Sequence, residues 1–180
     1  MERVPYDELA LFAENAAEVG LPYDGPPAVR RTRIPVDGER ALSALVWGEA
    51  PPELVLLHGG AQNAHTWDTV ALALRRPLVA IDLPGHGQSD GPATPDAGYD
   101  ADVAVAIRAA APSARAVVGM SAGGITALGI VARVAPQLNV FAIGFPITIA
   151  SGLVLLTLGL PLMAQPFSRV MEAILKAIGF

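Results

Sequence analysis

The chain has 180 residues, enough for one domain with a core of its own and short for two. It carries 12 basic and 17 acidic residues, a formal net charge of −5, no cysteine, and a mean hydropathy of +0.45. These figures exclude disulfides, thiolate nucleophiles and zinc–sulfur sites, and the acidic balance argues against a nucleic-acid partner.

The charge is unevenly spread. Up to Ala132 nine basic side chains stand against sixteen acidic ones, a net of −7; from Arg133 onward Arg133, Arg169 and Lys176 oppose Glu172 alone, a net of +2. The first ten residues, MERVPYDELA, are acidic and lack an apolar run, so no signal peptide is expected and the front of the chain is placed in the cytoplasm.

In chain order, Tyr6 to Val19 reads as a helix with Leu9, Phe12, Ala13 and Ala16 on one face and Gly20 as its stop. Pro22, Gly25, Pro26 and Pro27 mark a loop. Val29 to Val36 and Ala41 to Trp47 read as two strands joined at Asp37-Gly38, a hairpin signal. Leu54 to Leu57 is an apolar run ending in His58-Gly59-Gly60, and Thr66 to Arg76 has a helical period. Leu78 to Ile81 runs into Asp82, Asp100 to Ala111 is helix-like, and Ala116 to Val118 leads to Gly119. Short apolar runs alternating with helices predict βαβ units around a buried parallel sheet, with the chemistry at the carboxyl ends of the strands.

Gly119-Met120-Ser121-Ala122-Gly123 matches G-x-S-x-G and sits between a strand and a helix. A turn this tight leaves no room for side chains two residues either side of the serine, which is why both positions are glycine. The turn lifts the serine hydroxyl above the sheet, and the helix behind it directs N–H groups at developing negative charge. Ser121 is therefore the candidate nucleophile.

Leu56-Leu57-His58-Gly59-Gly60, followed by Trp67, places a glycine turn after one strand; Ala80-Ile81-Asp82-Leu83-Pro84-Gly85-His86-Gly87-Gln88-Ser89-Asp90 follows the next. Together with the serine turn, these motifs resemble the α/β-hydrolase family over about residues 29–128. The resemblance implies a serine hydrolase of esters, amides or related acyl compounds. It also implies an oxyanion hole built from the backbone N–H of Ala122 and that of Gly60 or Ala61, each such donor worth about 3 kcal/mol to the transition state. No cofactor and no metal are expected, and the partner is a small-molecule acyl substrate.

The histidines read mainly as structural. His58 belongs to its glycine turn and His86 to the loop that follows Asp82. His65 and Trp67 are candidate substrate contacts, with a capping or surface role the stronger reading for His65. The family pattern makes Asp82 a loop-holding residue. A serine hydroxyl needs a base, and the family order is serine, acid, histidine. After Ser121 the sequence has no Asp and no His, and Glu172 is its one acid. The expectation is weak or no turnover, and an unpaired edge on the strand ending at Gly119.

From Val134 to Ser168 there is no charged residue. Residues 140–164 are long enough to span a bilayer core, although Pro146, Pro161 and three glycines interrupt them. Phe167 to Ile178 places Phe167, Val170, Met171, Ile174, Leu175 and Ile178 on one helical face. The run from Thr126 to Pro146, above all Ala-Pro-Gln-Leu-Asn-Val-Phe and the Gly-Phe-Pro after it, resembles the C-terminal part of the FliR family, membrane components of the flagellar and type III secretion export gate. That resemblance covers about residues 126–180 and implies membrane-protein partners and no catalysis.

The expected architecture is thus a partial α/β-hydrolase over residues 1–125, with a parallel-rich sheet and flanking helices. An all-α, membrane-embedded tail follows over 126–180, attached on the cytoplasmic side. Three readings stay open: a hydrolase, a membrane component of protein export, or a fusion without integrated function.

Overall fold

The structure is a computed structural model that describes residues 7–134 and, in the tail, Thr157, Pro166, residues 168–171, Ile174 and Lys176. The chain divides into two compact units, 1–134 and 135–180.

In the first unit the elements run α1 (Phe12–Glu18), β1 (Val29–Pro35), β2 (Ala41–Trp47), β3 (Leu54–Leu57), a 3₁₀ turn (Ala64–Trp67), α2 (Asp68–Leu74), β4 (Leu78–Ile81), α3 (Asp100–Ala110), β5 (Ala116–Gly119) and α4 (Ala122–Val134). The sheet order is β1-β2-β4-β3-β5. β2 pairs antiparallel with both β1 and β4, while β4, β3 and β5 run parallel.

Alternation along the strands explains why they read as continuous apolar runs. Leu42, Ala44 and Val46 of β2, Val55 and Leu57 of β3, and Val79 and Ile81 of β4 meet Val103 and Ala106 of α3, with Ala122, Ala127 and Ile130 of α4 packed against them. The alternate residues Leu45, Trp47, Leu56, Leu78 and Ala80 point the other way and meet Phe12 of α1 and Ala71 of α2. Each central strand thus has two buried faces, as a parallel sheet covered by helices requires.

Two local expectations change. The first helix begins at Phe12, six residues later than its apolar period suggests. Asp7 explains the delay: its carboxylate accepts the N–H of Leu9 at 3.0 Å and its carbonyl accepts that of Ala10, an alternative to the helical ladder. The β1–β2 connection is not a two-residue Asp-Gly turn. It is a five-residue loop, 36–40, in which Asp37 Oδ1 accepts the N–H groups of Glu39 and Arg40 at 2.9 and 2.7 Å. Arg40 then ties the loop to Asp102 of α3.

β5 departs from the buried pattern. It pairs with β3, and among the described residues no strand lies on its other side. Val117 and Val118 are 36% and 44% exposed, and Ile125, Leu128 and Val131 of α4 are also exposed.

In the second unit, Thr157, Pro166, residues 168–171, Ile174 and Lys176 are helical, and Val170, Met171 and Ile174 are exposed. Apart from Thr157, the expected membrane span 140–164 lies outside the described residues. Among the described residues no helix is long and apolar enough to cross a membrane.

Leu57 is fully buried between β4 and β5, at the end of the strand that leads into the glycine turn. Leu57→Ala is expected to cost about 3 kcal/mol of unfolding free energy, read from the midpoint shift in urea at constant m-value.

Candidate active site

Three turns meet at the carboxyl ends of the parallel strands. Met120 N–H donates to the carbonyl of Leu57 at 3.1 Å, carrying the β5–β3 ladder one residue past the strand. Ser121 then takes φ = 52°, the left-handed region that a side chain adopts only under constraint. Gly123 N–H closes the turn on Met120 O at 3.0 Å, and Ile125 N–H bonds Ser121 O at 3.0 Å as α4 begins. Ser121 itself is exposed.

The glycines around it are required by close packing. A Cβ on Gly119 would lie 2.3 Å from Gly123 O, and one on Gly123 would lie 2.2 Å from Leu57 O and 2.6 Å from His58 O. The start of α4 is therefore pressed directly onto the end of β3. Gly59 belongs to the same contact, its Cβ position lying 3.5 Å from Ser121 Cβ.

The loop after β3 is set by its own side chains. Gln62 Oε1 accepts Gly59 N–H at 2.9 Å, so that donor is already used. Ala61 has φ = 58°, and Gly60 faces open space. Ala122 opens α4, where first-turn N–H groups have no intrahelical acceptor. Gly60, Ala61 and Ala122 thus sit on the two turns that flank Ser121. A cleft of about 470 Å³, bordered by Tyr99, Ala122, Ile125 and Thr126, opens along α4 between it and the 92–100 loop.

Asp82, at the end of β4, is fully buried and holds these loops in place. Its Oδ1 accepts Ala64 N–H at 2.6 Å, and its Oδ2 accepts Gln88 N–H at 3.2 Å and Arg31 Nη1 at 2.9 Å. Ser89 Oγ donates to its carbonyl at 2.6 Å. Gly87, at φ = 53°, approaches so closely that a Cβ there would lie 2.4 Å from the Asp82 carboxyl carbon. Arg31 is the partner that the sequence did not point to, since 51 residues separate it from Asp82.

Each histidine makes at least one hydrogen bond among these loops. His58 Nε2 accepts Leu83 N–H at 2.9 Å, which leaves Nδ1 to donate to Gly59 O at 2.7 Å. Burial pushes its pKa below the usual imidazole range, so it is a neutral brace between two loops. His86 Nδ1 bonds Pro84 O at 3.0 Å, its ring lying between those of His58 and Tyr99. His65 Nδ1 pairs with Asp68 at 2.7 Å, and its Nε2 lies within 3.3 Å of Glu8 and 3.2 Å of Arg31. The Asp68 hydrogen bond raises the His65 pKa against the opposing effect of burial. Trp67 packs into the cluster shared by α1 and α2, with Leu54 and Leu72.

With the geometry in place, comparison with known proteins is informative. The chain is 47% identical over 137 residues to the esterase Rv0045c of Mycobacterium tuberculosis, covering 73% of this chain and 43% of that protein. The solved structure of that esterase superposes with a TM-score of 0.63 at 45% identity, covering 75% of this chain and 45% of the other. The front of this chain has the α/β-hydrolase fold. A pimeloyl-[acyl-carrier protein] methyl ester esterase of Edwardsiella ictaluri is 37% identical over 92 residues, 48% of this chain and 34% of that enzyme. The chain thus spans less than half the length of the curated relatives it matches. Residues 103–174 match a second family, the Bacterial export proteins, family 1. The hydrolase fold is joined to an export-gate-like segment, and the export match begins inside α3, well before the residues that suggested it in the sequence.

His65 provides a pH test of the loop geometry. Its folded pKa lies above its unfolded value, so the stability it supplies is fully present below about pH 6.5 and is lost as pH rises through the folded value. Urea denaturation of wild type and His65→Gln should therefore show a stability difference at pH 6 that narrows toward pH 8.5. His58, shifted the other way, is common to both proteins and cancels.

Proposed function

We propose that Ser121 is the nucleophile of an ester-cleaving acyl-transfer site, acting on small-molecule acyl substrates. The observation that carries this reading is the strained turn, with Ser121 at φ = 52° between two glycines that no larger residue can replace. Such strain persists where the surroundings over-determine it, and it clusters at functional sites. The esterase relatives support the same chemistry.

In the proposed reaction the Ser121 hydroxyl adds to an ester carbonyl. The oxyanion accepts hydrogen bonds from Ala122 N–H and from Gly60 or Ala61 N–H. Loss of the alcohol leaves an acyl-enzyme, which water hydrolyses. Each proton transfer needs a base. His58 is a neutral brace with both nitrogens in use, and His65 is drawn toward its protonated form by Asp68. The sequence after Ser121 offers neither Asp nor His. This chain is accordingly proposed to acylate slowly and turn over weakly, the residual activity coming from oxyanion donors and binding.

A fluorophosphonate probe tests the assignment. Expected is slow covalent labelling of the wild type, mapped by mass spectrometry to Ser121 and absent in Ser121→Ala. Labelling of Ser121→Ala at the wild-type rate would remove the proposal.

The export-family match over residues 103–174 favours a second reading for the tail: attachment to the membrane through residues 140–164, on the cytoplasmic side, beside membrane-protein partners. The uncharged run from Val134 to Ser168 supports it. After expression of the full chain, the protein should stay in the pellet when membranes are washed with alkaline carbonate, and a chain ending at Val134 should not. Release of the full chain by the wash would remove the membrane reading.

A further inference from the structure

The cleft along α4 adjoins the serine turn at two residues. Ala122 is the chain neighbour of Ser121, Ile125 donates its N–H to Ser121 O at 3.0 Å, and both line the cleft. The facing wall is Tyr99 with the loop before it. At about 470 Å³ the space falls in the range of small-molecule sites. A group attached to a carbonyl reacting at Ser121 has this space beside it, along the first turns of α4.

The lining narrows what that group can be. Thr126 is buried at the cleft wall, and its hydroxyl is spent on Ala122 O at 2.9 Å. Ile125 is 74% exposed, the most open of the large apolar side chains among the described residues, and it offers that surface to whatever enters. The charged residues of the lining are Asp96 and Asp100, and no Lys, Arg or His borders the cleft. An anionic group entering here would lose water against apolar walls and meet like charge. A neutral apolar group incurs neither cost.

We infer that this cleft seats the acyl group of the substrate and selects an uncharged, apolar acyl chain over an anionic one. Ile125 is the contact surface, and Asp96 and Asp100 supply the repulsion; specificity comes as much from what is rejected as from what is held. The inference rests on Ser121 as the nucleophile and adds the substrate class. In the acylation step the bond from Ser121 Oγ to the carbonyl carbon forms and the ester C–O bond breaks. The alkoxide or phenolate leaves with the electron pair, and the serine proton passes to water.

The test follows release of 4-nitrophenolate by the full chain in detergent micelles, taken as the difference between wild type and Ser121→Ala. Low salt keeps the two carboxylates least screened. Four esters share the leaving group: 4-nitrophenyl acetate, 4-nitrophenyl hexanoate, 4-nitrophenyl hydrogen adipate, whose chain ends in a carboxylate, and the methyl ester of that adipate, which removes the charge. Expected is acylation at least tenfold faster with the methyl ester than with the adipate. That ratio should fall at least twofold in Asp96→Asn, an exposed loop position, and further when Asp100→Asn is added. Ile125→Ala should slow the hexanoate at least fivefold more than it slows the acetate. Equal rates for the adipate and its methyl ester, a ratio that Asp96→Asn leaves unchanged, or an Ile125→Ala loss equal on hexanoate and acetate would overturn the inference while Ser121-dependent release persists. No difference between wild type and Ser121→Ala on any of the four esters would remove the nucleophile reading, and this inference with it.

Discussion

A carboxylate fully withdrawn from water must be matched by donors, and in this fold that carboxylate is Asp82. Ala64 N–H, Gln88 N–H and Arg31 converge on its side chain. They come from the loop after β3, the loop after β4, and strand β1. One buried charge thus joins the antiparallel edge of the sheet to the loops at the carboxyl ends of its parallel strands. Removing one partner of such a pair costs about 3–5 kcal/mol, because the other is left buried and unmatched. Arg31 is shared further with Glu8 and Ser43, so the segment before α1 is held by the same centre. The hydrogen bonds to Arg31 also hold the Glu8 carboxyl below the usual carboxylate range.

The serine turn is built by a different principle, steric exclusion. Gly123 meets the carbonyls of Leu57 and His58 at distances that admit no side chain, so α4 starts against β3 with backbone touching backbone. That contact forces Ser121 into its left-handed conformation and places it beside the loop containing Gly59 and Gly60. His58 then fixes the loop from below, bonding Gly59 on one side and Leu83 on the other. The turn that carries Ser121 and the loop beside it are therefore positioned by backbone contact between the end of β3 and the start of α4. Both ring nitrogens of His58 and of His65 are engaged in bracing these loops.

α4 is where the two likenesses overlap. Its inner face packs on the sheet through Ala122, Ala127 and Ile130, and Thr126 folds its hydroxyl back onto Ala122 O. Its outer face presents Ile125, Leu128 and Val131. The export-family match runs through this helix and through β5 and α3 before it. A helix of small and β-branched apolar residues satisfies both patterns, because close packing on a sheet and close packing between helices make the same demand for compact side chains. The exposed valines of β5 follow from the same region, where the sheet ends among the described residues.

Much of the fold was legible in the sequence because it rests on local rules. Period-two and continuous apolar runs located the five strands of the described residues, and the glycines around Ser121 announced a tight turn, although the contact that excludes a side chain at Gly123 comes from Leu57 and His58. The loop-holding role of Asp82 came instead from the resemblance to the α/β-hydrolase family, since its place at a strand end alone fits a triad acid equally well. Asp7 and Asp37 misled because their side chains compete with backbone bonding, which periodicity does not record. Tertiary structure alone decided that Arg31 neutralises Asp82, that Arg40 reaches Asp102, that Trp67 belongs to the core, and that His65 is tied to Asp68 and Glu8. It also created the cleft beside Ala122, from a loop and a helix that are distant in the chain. The difference is physical: steric and periodic constraints act between neighbours in the chain, whereas charge neutralisation and hydrogen-bond satisfaction act between whatever groups the fold brings within about 3 Å.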